Sequence, residues 1–175
     1  MIKLKPFSPA DFDRLISWID NNELLVTIAG TVFSYPLTVE QLQTYLEDDN
    51  SYSFNIVDSS KDNVIGHAEI LLSGLETFKI DKLIIGDASM RGKGIGQEVI
   101  NKLLQYSFTK LEAKKVELNV FDWNLAGIRC YEKCGFVIRP EKETSFQMDN
   151  KNWIALNMTI DKDNWTKRKP ADNYQ

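Results

Sequence analysis

The chain has one histidine, two cysteines and no apolar run of about 18 residues, the length that a membrane-spanning helix needs. His67, Cys130 and Cys134 make a poor ligand set for a metal ion, so we expect no metal site. The two cysteines lie four residues apart on a predicted helix and are expected to be reduced thiols, which suits a reducing cytosol. Residues 1–5 lack the long apolar region of a signal peptide. We therefore expect a cytoplasmic protein without membrane contact.

Positively charged residues are also fewer than negatively charged ones. The 175 residues carry 21 Lys and Arg against 25 Asp and Glu, which leaves a net charge of −4. Because the neutralisation of phosphates needs a basic face, nucleic acid is not an expected partner. The length and the hydrophobic fraction of 43% are typical of a single soluble globular domain.

Glycine is concentrated at one place. Residues 90–96 read Met-Arg-Gly-Lys-Gly-Ile-Gly, after an apolar run at 80–85 and before apolar residues at helical spacing (Val99, Ile100, Leu103, Leu104 and Phe108). The pattern predicts a strand, a glycine loop and a helix. Such a loop directs backbone N–H groups to one point at the positive end of the helix, and glycine allows a ligand to come close. The predicted guest is a phosphate or a pyrophosphate.

The spacing decides between known kinds of phosphate loop. The P-loop pattern is absent, and the dinucleotide pattern G-x-G-x-x-G fails at Gln97. The loop fits R-x-x-G-x-G instead. Further along, Asn124, Gly127 (with Ala126 one place early), Tyr131 and the pair Gly135-Phe136 form a second signature. With both signatures, the chain resembles the GNAT superfamily of acetyl-CoA-dependent N-acetyltransferases over residues 64–160.

The resemblance implies how acetyl-CoA would be held. Backbone N–H groups of the loop would bind the pyrophosphate, with added charge from Arg91 and Lys93, and the pantetheine arm would pair with the exposed end of the preceding strand. Asn124 would contact that arm or cap its helix. The expected cofactor-binding residues are Leu83, Ile84, Ile85, Arg91, Gly92, Lys93, Gly94, Ile95, Gly96, Gln97, Asn124 and Tyr131.

The resemblance also supplies candidates for the chemistry. Tyr131 would act as general acid towards the CoA sulfur. The base is open: Asp81, Glu69 and a chain of waters are the alternatives, and the run around Asp81 looks like that of aminoglycoside 6'-N-acetyltransferases. Strand alternation puts Asp81, Leu83 and Ile85 on one face and Lys82 on the other. Acceptor recognition is expected from residues 18–35 and from a loop at 141–152, where Glu23, Phe33, Tyr35, Glu141, Glu143 and Asp149 are found.

The order of predicted elements gives the fold. After a short strand at 2–5, helices open at Ser8-Pro9, near Glu23 and at Thr38. Strands are expected at 53–57, 64–72, 78–85, 116–120, 136–138 and 153–160, with helices at 94–109 and 124–134. We expect an α/β protein with the GNAT fold. Its single mixed sheet has six to seven twisted, mostly antiparallel strands flanked by helices, and its central parallel strands are splayed. Residues 1–160 form the domain and 161–175 a loosely ordered polar tail.

The favoured function is an acetyl-CoA-dependent N-acetyltransferase that transfers the acetyl group directly, in a ternary complex, to a primary amine. The amine belongs to a small molecule, an aminoglycoside-like polyamine or a peptide or protein N-terminus. The alternative is a CoA-binding regulatory module without turnover. Sequence leaves open whether the protein is a monomer or a homodimer, and whether the last strand pairs within the chain or with a second subunit.

Overall fold

A computed structural model describes residues 1–86, 88–90 and 92–168. The strands are β1 (Ile2–Pro6), β2 (Ser51–Asp58), β3 (Asn63–Gly74), β4 (Thr77–Ile85), β5 (Lys115–Phe121), β6 (Val137–Met148) and β7 (Lys151–Asp161). The α-helices are α1 (Phe12–Trp18), α2 (Asn22–Ala29), α3 (Val39–Leu46), α4 (Ile95–Thr109), α5 (Leu125–Cys134) and α6 (Lys162–Arg168). Short 3-10 turns cover Pro9–Asp11 and Ala88–Met90. No helix in these ranges is both long and apolar enough to cross a membrane.

The strands form one seven-stranded sheet in the order β1-β2-β3-β4-β5-β7-β6. All neighbours are antiparallel except β4 and β5, which are parallel. The predicted α/β class, strand number and central parallel pair are therefore confirmed. The last strand pairs within its own chain, because β7 lies between β5 and β6.

Each face of the sheet is covered by helices. The apolar stripe of α4, including Ile100, Leu103 and Phe108, is fully buried against one face. Helices α1, α2 and α3 cover the other face with Leu15, Leu25 and their neighbours. Local signals start two of these helices, since the side chain of Asn21 accepts a hydrogen bond from the Leu24 N–H and that of Thr38 from the Gln41 N–H.

The central strands separate halfway along their length. β4 and β5 pair only from Thr77 and Lys115 to Ile80 and Leu118. Beyond that point β4 continues against β3 as far as Ile85, and β5 continues against β7. A cleft therefore opens between two strands that stay tied to their outer neighbours, as the predicted splay requires.

The prediction of strand faces in β4 was wrong. Glu69 of β3 is opposite Asp81, but His67 is opposite Ile84, so two β4 residues occupy the space of one β3 residue. Lys82 sits in this bulge with a φ of 47°. The extra residue shifts the alternation. Asp81 and Lys82 consequently share the face covered by α1–α3, while Leu83 and Ile85 pack on the opposite face.

Two other expectations about the C-terminal part were also wrong. Residues 162–168 of the expected loose tail form helix α6, whose Trp165 is buried with its ring centroid 5.0 Å from that of Phe108. Residues 169–175 lie outside the described part of the chain. The expected loop at 141–152 is mostly strand, because β6 extends to Met148 and forms a hairpin with β7.

Candidate active site

The glycine loop leads into the start of α4 as predicted. Gly92 and Gly94 have φ of 74° and 76°, in the left-handed region that glycine adopts without strain. A Cβ on either residue would find no atom within 4 Å, so open space lies beside the loop. Gly94 is the N-cap of α4 and gives it no side-chain cap. The N–H groups of Ile95 and Gly96 can therefore bind an anion, whereas the Gln97 N–H, which was also predicted to do so, donates to the Gly94 carbonyl at 3.1 Å. Lys93 is exposed beside them, whereas Arg91 lies outside the described residues.

A cavity of about 370 Å³ begins at this loop and follows the end of β4 that lies beyond its pairs with β5. It brings together many of the predicted cofactor-binding residues: Leu83, Ile84, Ile85, Gly92, Ile95, Gly96, Asn124 and Tyr131. Gln97 does not line the cavity, and its carbonyl accepts a weak hydrogen bond of 3.9 Å from the Cys134 thiol. Leu24, Met90 and Cys130 also line the cavity, although sequence reasoning assigned them no role.

Asn124 caps helix α5. Its Oδ1 accepts a hydrogen bond of 2.9 Å from the Gly127 N–H. A Cβ at Gly127 would lie 2.8 Å from the Asn124 side-chain nitrogen, so alanine at this position would require the capping side chain to shift.

Tyr131 lies one turn before the end of α5, half-buried in the wall of the same cavity. Burial raises the pKa of its hydroxyl to about 12, and the neighbouring Cys130 and Cys134 add to the effect. The hydroxyl therefore stays protonated at neutral pH and can donate a hydrogen bond. Cys130 and Cys134 are both free thiols, and the hydrogen bond between them lowers the pKa of Cys130 to about 7.

Asp81 and Glu69 do not line the cavity of Tyr131. They line a neighbouring cavity of about 590 Å³ on the other face of the sheet, with Phe33 and Tyr45. Asp81 also borders a third cavity of about 320 Å³, which reaches Phe121 of β5. Asp81 is the first β4 residue beyond the last pair with β5. It therefore stands where the two strands separate.

Both carboxylates are paired with lysines that sequence reasoning missed. Lys79 Nζ lies 3.2 Å from Asp81 Oδ2, and Lys82 Nζ lies 3.9 Å from the same oxygen. Lys82 also forms a buried ion pair with Glu69. Burial raises the pKa of Glu69, although Lys82 acts in the opposite direction. Lys79 could have been found from alternation with Asp81, but the position of Lys82 depends on the bulge.

Only some of the other residues expected to recognise the acceptor lie at the two cavities of Asp81. Phe33 lines the 590 Å³ cavity, and Thr144 and Phe146 of β6 line the 320 Å³ cavity. The expected acidic residues Glu23, Glu141, Glu143 and Asp149 and the aromatic Tyr35 are exposed and belong to neither lining. Across the described ranges, no group of three or more His, Cys, Asp or Glu side chains is placed to hold a metal ion.

Comparison with known proteins identifies the family of the chain. The model of the GNAT acetyltransferase domain family matches residues 2–137. The N-acetyltransferase 9-like protein of Nematostella vectensis is 25% identical over 174 residues, which cover 91% of this chain and 88% of that protein. The spermidine N(1)-acetyltransferase of Vibrio cholerae is 32% identical over 99 residues, 57% of each chain.

A solved structure of spermidine N-acetyltransferase from Vibrio cholerae, in complex with CoA and spermine, has the same fold. It superposes with a TM-score of 0.80 at 22% identity and covers 94% of this chain and 98% of that one. The family match spans most of the chain, and both of the predicted signatures lie within it. The chain therefore belongs to the GNAT acetyltransferase superfamily and is an N-acetyltransferase.

Proposed function

We propose that the protein transfers the acetyl group of acetyl-CoA directly to a primary amine of a small molecule or a peptide N-terminus, with both substrates bound together. The observation that carries the proposal is the separation of β4 and β5 beyond Ile80 and Leu118. Around this separation, Leu83, Ile84 and Ile85 line the cavity of Tyr131, and Asp81 lines the two cavities on the other face.

The donor side fits acetyl-CoA. The uncapped start of α4 offers backbone N–H groups to a pyrophosphate, and Lys93 adds an exposed positive charge. The edge of β4 beyond its last pair with β5, at Leu83 and Ile84, can pair with the amide-bearing pantetheine arm, and Ile85 lines the same cavity. The spermidine acetyltransferase relative was solved with CoA, which supports the same donor here. Bound acetyl-CoA supplies the thioester.

The acceptor must lose a proton before it can attack. An alkyl amine with a pKa near 10.4 is neutral in only about one part in 10³ at pH 7, which corresponds to roughly 4–5 kcal/mol of the barrier. Asp81 is the better placed carboxylate to hold the ammonium and take that proton, because its side chain is 20% exposed where the strands part. Glu69 is 3% exposed and is held by Lys82, so an acceptor reaches it less easily.

Tyr131 completes the proposed reaction. The nitrogen–carbon bond forms, and the nitrogen releases one proton to solvent as it becomes an amide. The carbon–sulfur bond breaks, and the sulfur leaves as a thiolate. Because the pKa of Tyr131 is about 12, its hydroxyl is protonated at working pH and can donate to that sulfur.

The test is thiol release from acetyl-CoA with a panel of aminoglycosides, polyamines, amino acids and short peptides. We expect turnover with one class of amine, and a larger loss of kcat/KM in Asp81→Asn than in Glu69→Gln. The two variants remove one carboxylate each from the same face, so they serve as mutual controls. Calorimetric binding of CoA without acetylation of any amine would contradict the proposal and favour a CoA-binding module.

A further inference from the structure

The larger acceptor cavity already contains an ammonium group. Lys82 Nζ lies 5.1 Å from the ring centroid of Tyr45 and 5.8 Å from that of Phe33. It is paired with Glu69 and lies 3.9 Å from Asp81. Two aromatic faces and two carboxylates are the surroundings that proteins use to bind alkyl ammonium ligands. In this chain the protein's own Lys82 occupies a site bordered by Phe33, Tyr45, Glu69 and Asp81, which we call the ammonium box.

The backbone is shaped to put Lys82 there. Regular alternation would place Lys82 on the face opposite to Asp81. The bulge turns it to the same face, at a φ of 47° that a non-glycine residue adopts only at a cost in free energy. The side chain is then 8% exposed, so the ammonium group is not a mobile surface charge.

The charges of the cavity show what Lys82 does to an acceptor. Three carboxylates, those of Asp48, Glu69 and Asp81, line it together with two ammonium groups, those of Lys79 and Lys82. Glu69 and Asp81 are both engaged by these lysines. An incoming amine with a second ammonium would have to place that charge beside Lys82, whose two neighbouring carboxylates are already paired with lysines. Of the lining carboxylates in the described ranges, that leaves Asp48 without a lysine partner. Like charges so placed repel strongly in a partly buried site.

We propose that Lys82 excludes polyamines from the ammonium box and restricts the enzyme to acceptors with a single ammonium. The inference rests on the proposed function, because it concerns the acceptor of the same reaction.

The test compares butylamine with putrescine, which share a four-carbon chain and differ only in the second ammonium. We expect the wild-type enzyme to acetylate butylamine with the higher kcat/KM. In Lys82→Gly the ammonium box loses its lysine, so the second ammonium of putrescine can pair with Glu69. Glycine also adopts the positive φ at this position without strain. The ratio of kcat/KM for putrescine to that for butylamine should rise at least about tenfold.

Three further variants control this result. Lys82→Arg keeps the positive charge and should keep the wild-type preference. Lys82→Asn removes the charge with a residue that tolerates a positive φ, so it replaces Lys82→Gly if that variant folds poorly. Adding Glu69→Gln to Lys82→Gly should abolish the gain for putrescine, because the vacated carboxylate is then missing.

Thermal stability gives a readout that does not need turnover. Putrescine should raise the melting temperature of Lys82→Gly and leave that of the wild type unchanged. If the wild type prefers putrescine, or if Lys82→Gly changes neither the ratio nor the melting shift, the inference is wrong while the acetyltransferase proposal stands. If no amine is acetylated by any variant, the proposed function fails, and the melting shift alone decides the role of Lys82.

Discussion

Replacement of Tyr131 by Phe removes one hydroxyl from the wall of the proposed donor cavity and keeps the ring. The pKa of Tyr131 is about 12, and that of an alkyl thiol is about 8.5. Complete proton transfer to the thiolate would thus be uphill by about 3.5 pKa units, or roughly 5 kcal/mol. The hydroxyl is therefore expected to act mainly as a hydrogen-bond donor to the developing charge.

The magnitude follows from that role. A hydrogen bond to a charged group contributes about 1.5–3 kcal/mol, and about 2.7 kcal/mol corresponds to a factor of 10² in rate. We expect kcat of Tyr131→Phe to fall by about 10² with little change in the affinity for acetyl-CoA. Because a group with a pKa of about 12 is only about one-thousandth ionised at pH 9, any alkaline decline of kcat below that pH should persist in the variant.

Steady-state thiol release across a pH range, with calorimetric binding of acetyl-CoA, measures both effects. The ring of Tyr131 packs edge-on to that of Phe136, with centroids 6.2 Å apart, and this contact survives in the variant. The melting temperature is the control for folding. An unchanged kcat would remove Tyr131 from the mechanism, and a raised KM for acetyl-CoA at unchanged kcat would make it a binding residue only.

Three other expectations concern binding and stability. Gly94→Glu should abolish CoA binding in calorimetry, because it strains a φ of 76° and brings a carboxylate to the proposed pyrophosphate site. The control Gly74→Glu, at the exposed end of β3, should bind CoA normally. Burial, aided by the charge of Lys82, lowers the pKa of His67 to about 3. Between pH 6.5 and 3 the imidazole is therefore protonated only in the unfolded state. Stability due to His67 is complete above pH 6.5 and declines by about 1.4 kcal/mol per pH unit as pH falls; urea unfolding of His67→Gln should lack this slope. Trp165→Ala should destabilise the fold by about 3–5 kcal/mol, and a change below about 1 kcal/mol would show that α6 is not part of the core.

The parts of the site that sequence predicted are local. Glycine spacing, the apolar stripe after it and the cap at Asn124 each act within a few residues, so they locate the loop, α4 and α5 without any knowledge of distant partners. The splay between the central strands was predicted from the resemblance to the family. The physical reason for it, pairing with different outer neighbours, appears only in the sheet.

Tertiary structure alone decided the acceptor side. The position of Lys82 depends on a one-residue offset between β3 and β4, and alternation along a single strand cannot reveal an offset that exists only across strands. The same holds at the C-terminus, where α6 is anchored through Trp165 against Phe108, far away in the chain. The sequence by itself determined the fold class and the proposed donor loop, because short-range patterns encode them. Cross-strand register and long-range packing determined which charges meet in the acceptor cavity, because those contacts form only when distant segments come together.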